Sequence, residues 1–149
     1  MKKKKTKKQI ESVIGKKIIW ILDIPPFEQQ CIVCFNGQLT DILKFIKRKK
    51  LTVKGKEMIE YLEKNPEILN EKTELTGART YVLPPLDYCM IVHHSQTNWL
   101  ETTKIVSHEV SHLSHYVLRN ARIPLQEETE ETYTYLQAYL LKEILKKIY

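Results

Sequence analysis

The chain predicts an α+β fold in which a small, mostly antiparallel sheet packs on helices. Three observations carry that expectation. Short β-branched and apolar runs end at Pro-Pro or Asn-Gly punctuation, as strands do. Residues 39–49 and 54–64 place apolar side chains at helical spacing with lysines on the other side. The last third holds two longer helical patterns, separated by Asn120 and Pro124. A length of 149 residues suits one domain with one core.

Residues 1–9 contain six lysines and almost nothing apolar, so they are expected to form a disordered basic tail ahead of a single domain, 10–149. Residues 17–24 and 30–35 read as strands, the second closed by Asn36-Gly37. The helix over 39–49 follows from Leu39, Ile42, Leu43 and Ile46, and that over 54–64 from Met58, Ile59 and Leu62, ended by Asn65-Pro66. Residues 70–77 are polar and loop-like. Residues 78–83 and 87–94 are two further strands, separated by Pro84-Pro85. The long helix spans about 98–118, with Asn98 as its cap and Glu101 completing a reciprocal capping pattern. The last helix covers about 126–147, and no internal repeat is present.

Net charge is +6, unevenly spread: residues 1–56 carry 15 Lys/Arg against 4 Asp/Glu, and residues 57–149 carry 9 against 14. A basic first half can meet nucleic acid or an acidic partner, although a solvated lysine-rich tail is the simpler reading. No apolar run approaches the roughly 20 residues that span a bilayer, so no membrane partner is expected. The run 18–22 is too short for a secretory core and meets Asp23 at once. Three cysteines without a secretion signal point to a cytoplasmic protein with reduced thiols. Cys31 and Cys34 form one C-x-x-C, but strand residues three apart face opposite ways, so buried free cysteines are the expectation.

The chemistry concentrates in His108, Glu109 and His112, an H-E-x-x-H spacing. With 5 His and 15 Glu in the chain, about 0.02 accidental matches are expected. On a helix, residues four apart lie one turn apart on one face, so His108 and His112 can present ring nitrogens to one ion. Two neutral imidazoles suit Zn²⁺, whose hydrolytic sites take three protein ligands and leave a position for water. Glu109 lies at the flank of that face, placed to take a proton from such a water. Val106, Val110, Leu113 and Val117 form a separate core stripe, while Ile105, His108, Glu109, His112 and Tyr116 form another about 120° away. The helix can therefore pack on one side and hold an ion on the other.

His115 lies too far along the axis from His108 to share the ion and belongs to the pocket rim or surface. The acidic start of the last helix is the better source of a third ligand. Tyr133, Leu136, Leu140 and Ile144 are its core stripe, which leaves Glu131 as the candidate ligand and Glu128, one turn earlier, as the reserve. The remaining acids complement the helix dipole.

His108, Glu109 and His112, followed by the stretch from Glu130 to Leu140, resemble the small gluzincin-type zinc metallopeptidase-like proteins of phages and other mobile elements. The resemblance covers roughly residues 85–145. It implies a zincin-like fold, with His108, His112 and Glu131 as ligands and Glu109 as general base. The implied activity is zinc-dependent hydrolysis of an amide bond in a peptide or protein substrate. It also implies a strand ahead of the metal helix, the place occupied by residues 87–94, whose edge would pair with extended substrate. His94 from that strand, and Tyr116 and Tyr135, are candidate donors to substrate or to a tetrahedral intermediate. The alternative is a regulatory or nucleic-acid- or partner-binding protein whose zinc site is structural or vestigial.

Overall fold

The computed structural model describes residues 16–25, 27–49, 53–73, 77–83, 87–93 and 99–149. Strands β1 (Ile18–Ile24) and β2 (Gln29–Phe35) precede helices α1 (Leu39–Arg48), α2 (Val53–Lys64) and the single turn α3 (Pro66–Leu69). Strands β3 (Ala78–Leu83) and β4 (Asp87–Val92) follow. Helix α4 (Trp99–Asn120), a 3-10 turn (Glu127–Thr129) and helix α5 (Glu130–Ile148) complete the order. The basic tail and Asn98 lie outside the described residues.

The strands form one sheet in the order β1-β2-β4-β3. β1 and β3 pair antiparallel with β2 and β4, but β2 and β4 run parallel to each other, so the sheet is mixed. This corrects one expectation. β4 is an interior strand, and the edge nearest α4 is β3. The reason lies in coverage: all six residues of β4 are buried, and a strand covered on both faces needs a near-continuous apolar run, here Tyr88 to Val92 after Asp87. β3 instead mixes exposed Arg79 and Val82 with buried Ala78, Tyr81 and Leu83, as a strand with one open side does.

Helices cover both faces of the sheet. On one side, Leu39, Ile42, Leu43 and Ile46 of α1 and Met58 and Leu62 of α2 pack on Ile32, Cys34, Cys89 and Ile91. On the other, Val106, Val110, Leu113 and Val117 of α4 and Tyr133, Leu136, Leu140 and Ile144 of α5 pack on Val33, Phe35, Met90 and Val92. Both expected core stripes are therefore buried as read. Cys31 joins the α4–α5 side while Cys34 and Cys89 join the other, as strand alternation requires. All three are buried free thiols. Burial pushes Cys34 up to about 12 and raises Cys31 and Cys89 as well, so none is a poised nucleophile.

Helix α4 ends in a two-bond C-cap. The Ile123 N–H donates to the Leu118 carbonyl at 2.9 Å and the Arg122 N–H to the Arg119 carbonyl at 3.0 Å. That pairing requires a left-handed residue after the helix, usually glycine. Here it is Arg122, at φ 60°. The chain then returns antiparallel: Tyr133 Oη donates to the Ile123 carbonyl at 3.1 Å, and Tyr149 Oη to the Trp99 carbonyl at 3.3 Å.

Candidate metal centre

Helix α4 is amphipathic in an unusual sense. Its core stripe faces the sheet, while His108, Ser111, His112 and His115 stand exposed on the opposite side. The helical repeat brings His108 and His112 together, with their Nε2 atoms 3.1 Å apart and their rings edge to face at 4.8 Å. Two imidazoles on a tetrahedral zinc, each about 2.0–2.1 Å from the ion, would stand about 3.3 Å apart. The pair thus has a separation suited to sharing an ion, and equally suited to sharing a proton.

Glu109 turns away from solvent toward the edge strand and is only 6% exposed. Thr80 of β3 donates its hydroxyl to Glu109 Oε2 at 2.7 Å. Burying a carboxylate without such a partner would be costly, so Thr80 is what makes this position tenable. Sequence reading passed over Thr80. Its signal was alternation in β3, which turns Ala78, Thr80 and Val82 to the face that meets α4.

Among the described residues, neither Glu131 nor Glu128 forms with the histidine pair a group that could hold a metal ion. Both are exposed, and Glu131 lines a separate pocket of about 420 Å³ with Glu130, Thr134 and Tyr135. The register of the helical hairpin explains this. Tyr149 meets Trp99 at one end, and the Tyr133 ring lies 6.3 Å from that of His115 near the other. Glu128 and Glu131 stand where the chain enters α5 after the turn that follows α4, whereas His108 and His112 lie midway along α4. Among the described residues, no three His, Cys, Asp or Glu side chains are grouped to hold one metal ion.

The remaining candidates divide. Tyr116 stacks on His112, with centroids 6.5 Å apart and an interplanar angle of 21°, so it borders the pair. Tyr135 is 72% exposed on α5. His94 lies outside the described residues. Its neighbour His93 is engaged elsewhere, with Nε2 2.7 Å from Thr73 Oγ1 and its N–H donated to the Gly77 carbonyl at 2.8 Å. His115 is exposed, as the surface placement expects, and lines a separate cleft toward the end of α4. No helix among the described residues is long and apolar enough to cross a membrane. No family model, curated protein or solved structure matches this chain.

Proposed function

We propose that the chain is a zinc-dependent hydrolase acting on an amide bond of a peptide or protein, with His108 and His112 as metal ligands and Glu109 as the base. The observation that carries the reading is the pairing of two solvent-facing imidazole nitrogens at 3.1 Å with a buried carboxylate on the adjoining helix position. Zinc bound there would acidify a water and polarise a carbonyl. Thr80 engages Oε2 of Glu109 and so orients the carboxylate, leaving Oε1 to take a proton and return it to a leaving amine. The adjacent edge, β3, offers backbone groups to an extended peptide, the role first expected of residues 87–94. Such a zinc site needs a third protein ligand, for which Glu131 is the expectation from sequence; among the described residues none is grouped with the pair.

The test is metal content and peptide hydrolysis measured together on Glu109→Gln. Metal retained with hydrolysis reduced about 10²- to 10⁴-fold fits a base. Undiminished hydrolysis in that variant would refute the proposal.

A second reading has its own support. With only two histidines at the pair and a basic balance over residues 1–56, the zinc site would be vestigial and the chain a binder of nucleic acid or an acidic partner. Salt-steep DNA binding without any hydrolysis would favour it.

A further inference from the structure

A cleft of about 560 Å³ opens where α4 ends, lined by His115, Arg119, Arg122, Ile123, Pro124, Leu125 and Tyr133. Its volume falls in the range of small-ligand sites. His115, Arg119 and Arg122 border an apolar strip, and Leu125 on that strip is 60% exposed. Among the described residues neither arginine is ion-paired. The Arg119 guanidinium lies over the Tyr116 ring at 5.7 Å.

Cations near a helix C-terminus are favoured by the dipole, and that accounts for Arg119 well enough. It does not account for Arg122. This residue occupies the left-handed cap position, where glycine is the unstrained choice and an arginine is held at a cost. Nor does the dipole explain an apolar strip left uncovered beside two unneutralised guanidinium groups. Both features are explained by a ligand that brings negative charge and apolar surface together. Planar guanidinium forks match a carboxylate, and Ile123, Pro124 and Leu125 offer contact to an adjoining hydrocarbon side chain. A phosphate would use the arginines but not the strip.

We propose that this cleft binds the C-terminal carboxylate of a peptide whose last side chain is apolar. The proposal stands apart from the metal reading, because it is read by binding alone without metal or hydrolysis.

The probe is N-acetyl-Ala-Ala-Leu with a free carboxylate, titrated into the metal-free full chain by calorimetry or amide chemical-shift mapping. Saturable binding with shifts at residues 115–125, and at least tenfold weaker binding of the C-terminal amide, would support it. Arg122→Gly should lose at least tenfold in affinity while melting at or above the parent temperature, which separates lost recognition from lost folding. Lys142→Gln, which removes a charge outside the cleft, should bind as the parent does. Absence of binding, equal binding of acid and amide, or unchanged affinity in Arg122→Gly would each overturn the proposal. So would displacement by inorganic phosphate at equal concentration, or preference for an amidated peptide bearing an internal Glu.

Discussion

The two helical layers that cover the sheet differ in what their outer surfaces do. On the α1–α2 side, ion pairs join neighbours: Lys17 with Asp41, Lys47 with Glu63, and Lys64 with Glu60. That surface solvates a core and adds little stability, since exposed ion pairs contribute about 0–1 kcal/mol. On the α4–α5 side, Lys104 pairs with Glu101 and Lys146 with Glu143, but His108, His112 and His115 stand exposed in a row that continues into Arg119, and the buried Glu109 is held by a hydroxyl instead of a cation. One layer is built to be inert. The other spends part of a helix on groups that do not stabilise the fold, which is the mark of a surface kept for chemistry or recognition.

That contrast can be broken most sharply on adjacent residues of α4. Leu113→Ala, on the buried stripe, should lower unfolding free energy by about 2–5 kcal/mol in denaturant titrations. His112→Ala, one position away, should leave stability within about 0.5 kcal/mol of the parent in metal-free buffer while abolishing zinc uptake. A His112 variant that unfolds the protein would place the histidines in the inert class. Thr80→Val removes the hydroxyl that partners Glu109 and should cost about 1–3 kcal/mol in denaturant titrations. Arg122→Gly should raise stability by about 0.5–1 kcal/mol by relieving the left-handed backbone.

The smallest expected effect lies on the inert side. Burial opposes ionisation of Asp41, but hydrogen bonds from Lys17 Nζ and the Gln38 N–H outweigh it and hold the carboxyl below its ordinary value. Its contribution is therefore fully present above the ordinary aspartate range and is lost as pH falls through the lowered value. Asp41→Asn should flatten the acid limb of the stability profile slightly and leave metal uptake unchanged.

The intrahelical features were legible. His108 and His112 meet because a helix brings positions four apart onto one face, whatever surrounds it. The core stripes of α4 and α5 and the opposite facing of Cys31 and Cys34 follow from local periods of the same kind. Features that depend on two elements were not legible. The largely apolar run of β4 was read as a strand, but that it lies between β2 and β3 depends on which strands it pairs with. Thr80 looked like an ordinary strand residue until α4 set Glu109 against it.

Glu131 marks the boundary most clearly. Periodicity could place it away from the α5 core stripe, and did so correctly. Its height relative to His112 depends on how far α4 runs before the chain turns, and on the Tyr149–Trp99 and Tyr133–His115 contacts that lock the hairpin. By itself the sequence determined a helix with an apolar side and an imidazole pair, because backbone geometry repeats every few residues and needs no partner. Only the tertiary structure decided what stands opposite that pair, because the register between packed helices is set by side chains far apart in the chain.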